Sequence, residues 1–121
     1  MPRRDAAGRG YDNKWLHATR WFKQCYPYCL GCQAIGLDRA TDVVDHVIPH
    51  QGDQTLFWSE GNWQPACRWH HNAIKPILER QWKAKLIPDT ALMLNSAAAI
   101  KLTKQKHRPA IGADGYPIAG T

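Results

Sequence analysis

The sequence predicts a small α+β domain in which two short strands lie between helices. Three observations support this prediction: apolar residues at helical spacing near the N-terminus, a β-branched run near the middle of the chain, and helical patterns from residue 68 onward. A chain of 121 residues with 44% apolar residues and six tryptophans fits one domain with a modest core. A core of this size favours a fold that needs an additional cross-link.

The first helix is predicted from residue 14 to about residue 24. One apolar stripe at helical spacing supports it and comprises Trp15, Ala18, Phe22 and Cys25. Because Cys25 belongs to this stripe, it is predicted to be a buried thiol of the core. Residues 1–12 have little apolar content and several arginines, so they are predicted to form a basic flexible arm.

Two strands are predicted after the first helix. Pro27 ends that helix, and "CLGC" at 29–32 predicts a tight turn. The β-branched segment "DVVDHVIP" at 42–49 predicts a strand. The segment "HQGDQTLFWSEG" at 50–61 predicts a loop, and "NWQPAC" at 62–67 predicts a short return strand or turn.

Two further helices are predicted in the C-terminal third. The segment 68–85 has helical character, and Pro76 marks either a kink or the first turn of a renewed helix. A last helix is predicted from Asp89, a favourable N-cap, to about residue 102. The predicted organisation is a basic arm at 1–12, one folded domain at 13–107 and an irregular tail at 108–121.

The net charge of +6 is distributed unevenly along the chain. Residues 1–25 carry six Lys/Arg against two Asp, and residues 75–108 are basic again, whereas residues 26–67 hold five Asp/Glu and only Arg39. An acidic centre between basic flanks suits a divalent cation surrounded by a polyanion, although an ordinary mixed surface has similar charges. No stretch approaches the about 20 apolar residues of a membrane helix, and the N-terminus lacks a secretory pattern, so a soluble intracellular protein without a membrane partner is expected.

The cysteines predict a structural metal site. In a reducing compartment thiols bind metal more often than they form disulfides. Cys29 and Cys32 form a C-x2-C pair that presents two thiolates to one ion, and Cys67 and His70 repeat this spacing across the hairpin. These four residues are the predicted ligands of a structural Zn²⁺. Two alternatives stay open, namely a reduced cluster without metal and a site that uses Cys25 in place of His70.

A second site is predicted from the adjacent histidines. On a helix the side chains of His70 and His71 diverge by about 100°, so His71 points elsewhere if His70 binds zinc. Asp45 and His71 are predicted to hold one divalent cation whose other positions stay open to water and phosphate. In a strand His46 lies opposite Asp45 and is then available as a base, although a histidine that stands alone in a strand is usually structural.

The order of these motifs resembles the HNH nucleases. The strings "DHVIP" at 45–49 and "CRWHHNAIK" at 67–75, with Asn62 between them, match the family pattern D-H-x-x-P, a middle Asn and C-x-x-C/H-H-x-x-x-K. The string "CLGC" matches the upstream C-x-x-C that often binds structural zinc in this family. The resemblance covers about residues 29–75. It implies a ββα-metal core, here flanked by helices, that hydrolyses phosphodiester bonds around one metal ion.

The resemblance implies a role for each matching residue. His46 would be the general base that takes a proton from the attacking water. Asp45 and His71 would hold the catalytic cation, which is Mg²⁺, Mn²⁺ or another divalent ion. Asn62 would brace the loop that carries His46, and Lys75 would contact a phosphate. The implied products are a 5′ phosphate and a 3′ hydroxyl.

Further residues are expected to contact nucleic acid. His50 has no fixed role in the family and either contacts a phosphate or caps its loop. Basic side chains would hold the backbone without reading sequence, and they include Arg3, Arg4, Arg9, Arg20, Lys23, Lys83, Lys85, Lys101, Lys104 and Lys106. The chain departs from the common family pattern in two places, since His70 stands where many members have Cys and Pro76 directly follows Lys75.

A narrower likeness concerns the segments around this core. The string "RGYDNKW" at 9–15 and the Trp-containing hairpin segment look like the small HNH endonucleases of tailed bacteriophages and prophages, which act beside the DNA-packaging terminase. This likeness implies DNA and terminase subunits as partners and the cytoplasm of a bacterial host as location. Two rival classes are a non-catalytic zinc-stapled DNA-binding module and a packaging adaptor. The first leaves the set of Asp45, His46, Asn62 and His71 unexplained.

Overall fold

The computed structural model describes residues 6–107, with side chains from residue 12 to residue 106. Within this range the elements are α1 (Ala6–Cys25), α2 (Leu30–Gln33), β1 (Val43–His46), α3 (Gln54–Trp58), β2 (Trp63–Ala66), α4 (Lys75–Lys83) and α5 (Ala97–His107). Short 3-10 turns cover Glu60–Asn62 and Asp89–Leu92, and a π-helical turn, His70–Ile74, leads directly into α4. The predicted α+β class is confirmed.

The two strands form an antiparallel hairpin at the centre of the domain. Val43 lies opposite Ala66 at one end of the ladder, and His46 lies opposite Trp63 at the other. β1 is shorter than predicted, and His46 is its last residue. Val47 makes one more bond in the same register, from its N–H to the carbonyl of Asn62 at 2.7 Å.

The connection between the strands was predicted as a loop, and this prediction is wrong for Gln54–Trp58, which form α3. Asp53 caps this helix, since its Oδ1 accepts the N–H of Leu56 at 3.1 Å. Phe57, on the last turn, is buried. A single helical turn that covers one aromatic side chain is too short to leave a periodic signal in the sequence.

The first helix is longer than predicted. α1 begins at Ala6, so part of the expected arm is helical, whereas residues 1–5 lie outside the described residues, as does the predicted tail at 108–121. Glycines in this stretch weaken a helix by about 1 kcal/mol each but do not stop it as proline does. Neither α1 nor any other helix between residues 6 and 107 combines the length and the apolar character that crossing a membrane requires.

Cys25 does not lie in the core, so the prediction of a buried thiol is wrong. It is an exposed free cysteine at the end of α1, although Phe22, one turn earlier, is buried. The side chains that follow, Tyr26 and Tyr28, are also about half exposed. Within residues 6–107 no element therefore covers the last turn of α1, which helical spacing by itself does not reveal.

The C-terminal helix begins later than predicted. Asp89 opens a 3-10 turn and accepts the indole N–H of Trp82 at 2.7 Å, while α5 begins at Ala97. The cap of α5 is Ser96, whose Oγ accepts the N–H of Ala99 at 3.0 Å. A continuous helix would place Leu92 and Leu94 about 200° apart, whereas both are fully buried. The break between the turn and the helix lets both leucines enter the core.

Two apolar clusters hold the helices to the hairpin. One joins β2, the π turn, α4, the 3-10 turn and α5, and its buried members are Val47, Ala66, Ile74, Leu78, Leu92, Leu94 and Ala99. The other fixes α1 on the hairpin through Phe22, Val44 and Trp63, with Trp15 packed against them. The predicted site residues of β1, Asp45 and His46, thus lie between α1 and α4 with its preceding turn.

Candidate functional site

Three cysteines and one histidine form a buried cluster that could bind a metal ion. The ligand atoms of Cys29, Cys32, Cys67 and His70 all lie within 4.8 Å of one another. His70 Nδ1 is 3.4 to 3.5 Å from each sulfur atom, and the sulfur atoms of Cys32 and Cys67 are 3.8 Å apart. Tetrahedral bonds of zinc length would place sulfur and nitrogen about 3.6 Å apart and two sulfurs about 3.8 Å apart. The four residues therefore fit one zinc-sized ion.

Short elements and turns bring the four side chains together. Cys29 precedes α2, Cys32 lies within it, Cys67 follows β2, and His70 opens the π turn. All four are buried, at 0 to 5% exposure. The predicted ligand set is thus assembled as one site, and the alternative with Cys25 is wrong because Cys25 is exposed and outside the cluster.

Thr103 on α5 orients the imidazole of His70. Its hydroxyl donates to the carbonyl of Ala99 at 2.8 Å, so its oxygen accepts from His70 Nε2 at 3.1 Å. The neutral ring therefore carries its proton on Nε2, and Nδ1, which faces the sulfurs, is the atom that would bind a cation. No pattern in the sequence identifies Thr103 as a partner of the site.

The protonation of the cluster favours a positive charge among the sulfurs. Burial alone would lower the pKa of His70, but the hydrogen bonds and charges of Cys29 and Cys67 raise it to about 9. Hydrogen bonds from Cys29, Cys32 and His70 hold the pKa of the Cys67 thiol far below its usual value, against the effect of burial. Hydrogen bonds with its cysteine neighbours raise the pKa of Cys32 instead. A bound divalent cation would replace these shared protons.

A second group of polar side chains surrounds Asp45, which is only 3% exposed. Its Oδ1 is 2.9 Å from Nδ1 of His71. Its Oδ2 accepts from Nζ of Lys75 at 2.8 Å and from Nε2 of Gln64 at 2.9 Å. Burial by itself would raise the pKa of Asp45, but the His71 hydrogen bond and the Lys75 charge outweigh it and lower the pKa. The hydrogen bond to Asp45 raises the pKa of His71.

Lys75 does not occupy the position that a phosphate contact requires. Its side chain is 2% exposed. Its ammonium group donates to the backbone carbonyl of His46, to Asp45 Oδ2 and to Glu79 Oε2, the last at 3.0 Å. Since an ammonium group has three protons, none is left for a ligand. The predicted phosphate contact of Lys75 is therefore corrected to a buried ion pair, which the π turn before Pro76 directs into the interior.

His46 is held in one tautomer by a backbone carbonyl. Its Nε2 is 3.0 Å from the carbonyl oxygen of Phe57, which can only accept, so the neutral ring donates from Nε2 and leaves Nδ1 without a proton. The indole of Trp15 stacks on the imidazole, with centroids 5.4 Å apart and an interplanar angle of 15°. Burial lowers the pKa of His46 and outweighs the bond to Phe57. At neutral pH His46 is thus an uncharged base.

Asn62 joins the loop after β1 to the start of β2. Its side-chain oxygen accepts the N–H of Ile48 at 2.9 Å, and its amide donates to the carbonyls of Ile48 at 2.9 Å and Leu56 at 3.3 Å. These bonds brace the segment that follows His46, as expected for the middle Asn of the motif. A contribution to catalysis stays a prediction.

His50 lies beside His46 and closes a turn. Its Nδ1 accepts the N–H of Gly52 at 3.0 Å, and its ring meets that of His46 edge-on with centroids 4.9 Å apart. His50 therefore caps its loop, the second of its two expected roles. Its neutral ring carries the remaining proton on Nε2, which leaves a donor for a phosphate as well.

Asp45, His46, His50 and His71 line one groove of about 350 Å³. Lys23 lines an adjoining groove of about 340 Å³ that also reaches His71. Arg20, on the preceding turn of α1, is exposed but belongs to neither groove. The structure thus brings the predicted base and cation ligands to one groove and places one predicted basic residue beside it.

Gly31 allows the histidine of the metal cluster to approach α2. A Cβ built on Gly31 would overlap the imidazole of His70, with Nε2 at 2.5 Å and Cγ at 2.9 Å. We expect Gly31→Ala to displace His70, to lower bound zinc well below one equivalent and to reduce unfolding stability by about 1–3 kcal/mol or more, as overpacking does. Metal analysis and urea unfolding measure both effects.

Gly61 provides the matched control for this substitution. A Cβ there would have only the Ser59 hydroxyl as a neighbour, at 3.9 Å. Gly61→Ala should therefore keep its zinc and change stability by no more than about 0.5 kcal/mol. Equal zinc content in the two variants would contradict the assigned role of Gly31.

This chain has no match among models of protein families, among curated proteins or among solved structures. Function is therefore inferred from the residues of this chain and their geometry.

Proposed function

We propose that this protein is a metal-dependent endonuclease of the HNH type that hydrolyses phosphodiester bonds of DNA. One observation carries the proposal: His46, a neutral base of defined tautomer, lines the same groove as the Asp45–His71 pair. A structural role for His46 alone would leave its position beside the Asp45–His71 pair unexplained. Hydrolysis of a phosphodiester needs both a base and a cation within reach of one phosphate.

His46 activates water in this proposal. Its Nδ1 has no proton in the neutral ring and accepts one from a water molecule beside the scissile phosphate. The Phe57 carbonyl stabilises the resulting imidazolium, because it already accepts the proton on Nε2. Trp15 and Asn62 hold the ring and its loop in place, so the base is oriented before substrate binds.

Asp45 and His71 hold the catalytic cation, Mg²⁺, Mn²⁺ or another divalent ion. Asp45 Oδ1 and His71 Nδ1 are 2.9 Å apart, about the separation of neighbouring ligands around an octahedral ion with bonds of 2.0–2.1 Å. Such an ion would neutralise charge on the scissile phosphate and the departing oxygen. With two protein ligands, most coordination positions stay open to water and substrate. Lys75 and Gln64 keep the other oxygen of Asp45 in place.

The buried cluster would hold a structural zinc ion that cross-links the same domain. The Cys29–Cys32 turn, the end of β2 and the π turn meet at the cluster, and through Thr103 it also contacts α5. His70 would bind the ion, whereas His71, its neighbour, reaches Asp45. The bound ion would therefore fix the position of the π turn, on which the proposed cation site depends.

DNA is the proposed substrate because of charge. The chain has a net charge of +6, and Lys23 lines a groove next to His71. Contacts of lysine with phosphates bind without reading sequence, and their strength falls steeply with salt. A role beside a terminase in phage DNA packaging is proposed from the sequence likeness alone.

His46→Ala tests the base. We expect this variant to retain its fold, zinc and DNA affinity but to nick supercoiled plasmid about 10² to 10⁴ times more slowly, because a general base contributes that much. His17→Ala, which removes an exposed histidine of α1, is the matched control and should cleave normally. Nicking by wild type, His46→Ala and His17→Ala is compared with Mg²⁺ or Mn²⁺. Near-normal nicking by His46→Ala would refute the base assignment, and no nicking by wild type would point to the non-catalytic DNA-binding or adaptor module instead.

Substitution of the two adjacent histidines separates the two ions. His70→Ala should lose zinc and thermal stability, since a structural ligand contributes to folding itself. His71→Ala should keep zinc and remain folded while cation affinity and cleavage collapse. Zinc content, melting temperature and Mn²⁺-dependent nicking distinguish these results. The reverse pattern, with His71 needed for zinc, would show that the proposed ligand assignment is wrong.

A further inference from the structure

A second groove lies next to the candidate catalytic groove. It measures about 720 Å³, and its walls include Lys83, Lys85, Leu86 and Trp82 from the end of α4 and the turn after it. Gln51 lines this groove and also the groove of Asp45, His46 and His71. The two grooves therefore adjoin at Gln51, and a chain-like ligand that passes Gln51 along the surface would contact both.

The turn that borders this groove is an unusual helix ending. Leu86 donates its N–H to the carbonyl of Gln81, and Lys85 donates to that of Trp82, both at 2.9 Å. This bonding is the Schellman motif, in which the residue at the position of Lys85 has a left-handed backbone and is usually glycine. The apolar contact that normally accompanies the motif is missing, because Leu86 is 73% exposed and Gln81 is polar. The side chains of Lys85 and Leu86 therefore lie at the groove, although the helix ending requires neither of them.

A second residue that lines this groove has the same backbone property. Among the described residues, Gln51 and Lys85 are the non-glycine residues with positive φ, at 50° and 62°, and both line this groove. A left-handed backbone is strained for a residue that carries a side chain, and such strain clusters at ligand sites. Its occurrence at two residues far apart in the sequence that line one groove favours a binding role over two unrelated turns.

The charge of the groove suits a polyanion. Lys83 and Lys85 contribute two cations, and Arg80 is exposed one turn before Lys83. The one acidic residue among the lining residues, Asp89, accepts the indole N–H of Trp82 at 2.7 Å. Leu86 adds an exposed apolar surface between these charges. A nucleic acid strand offers both phosphates for the lysines and sugars or bases for the leucine.

We propose that this groove binds the DNA backbone where it continues beyond the scissile phosphate, with Lys83 and Lys85 contacting phosphates and Leu86 contacting a sugar or base. This inference rests on the proposed function and adds the direction in which the strand leaves the site. It also distinguishes Lys83 and Lys85 from Lys101 and Lys104, for which the sequence predicts the same role. Lys101 and Lys104 on α5 are exposed as well, but no α5 residue lines either groove.

The first test compares two double variants, each of which removes two lysine charges, in the His46→Ala background, in which cleavage is expected to be slow. Binding of a short fluorescein-labelled DNA duplex is measured by anisotropy between about 50 and 200 mM salt. Lys83→Gln/Lys85→Gln should weaken binding about tenfold and reduce the salt dependence by about two phosphate contacts, each worth about 0.9 in the logarithmic slope. Lys101→Gln/Lys104→Gln should change both much less. Equal losses in the two pairs, or no loss in the first, would overturn the proposal.

The second test uses Lys85→Gly, which separates binding from folding. Glycine relieves the left-handed backbone, so the melting temperature should rise by a few degrees. DNA affinity should fall nonetheless, because a phosphate contact is lost. A variant that is more stable and binds DNA as tightly as its parent would refute the role of Lys85.

Plasmid cleavage by the wild type, measured in parallel, separates this inference from the proposed function. Wild type that cleaves while the Lys83/Lys85 pair binds DNA normally would overturn the groove alone. Wild type that binds DNA in a manner dependent on these two lysines, yet never cleaves, would overturn the nuclease and support the groove.

Discussion

The buried carboxylate of Asp45 is the interaction on which the rest of the site depends. Removing a carboxylate from water costs several kcal/mol unless charged and hydrogen-bonded partners replace the water. Lys75, Gln64 and His71 supply them from α4, β2 and the π turn. Gln64 also bonds to the backbone of Leu92 and Leu94, which ties the 3-10 turn to the same carboxylate. The carboxylate of Asp45 therefore connects the hairpin with the π turn, α4 and the 3-10 turn. The proposed cation would bind a carboxylate that these partners already hold in place.

The π turn directs the adjacent side chains of His70 and His71 to two different groups, the cysteine cluster and Asp45. Lys75 donates its backbone N–H to the carbonyl of His70, five residues earlier, which widens the turn. Pro76 follows and has no N–H to donate, so it interrupts the normal helical ladder at this place. His70 consequently faces the cysteines and His71 faces Asp45. The turn thus places a member of the buried cluster and a member of the proposed cation site on adjacent residues of one backbone segment.

The environment of His46 shows how distant parts of the chain create a base. Trp15 belongs to α1, and the accepting carbonyl is that of Phe57 in α3. The ring of His50, which meets His46 edge-on, belongs to the turn between β1 and α3. The aromatic surroundings exclude water from one side and lower the pKa of His46, while the carbonyl selects the tautomer. Thr103 does the same for His70. In both cases a neighbouring acceptor oxygen fixes the proton of the neutral imidazole on Nε2.

The sequence by itself determined the residues that depend on short spacings. The C-x2-C and C-x2-H pairs, the divergence of His70 and His71 and the β-branched strand all follow from local geometry, and the structure brings the four zinc-type ligands together accordingly. Only the tertiary structure decided which side chains meet across the chain and which are left in solvent. Lys75 points inwards because it pairs with a buried carboxylate, and Cys25 stays exposed because none of the described elements covers the end of α1. The same holds for the groove at Lys85, since packing between distant elements is a property of the whole fold that local propensities do not encode.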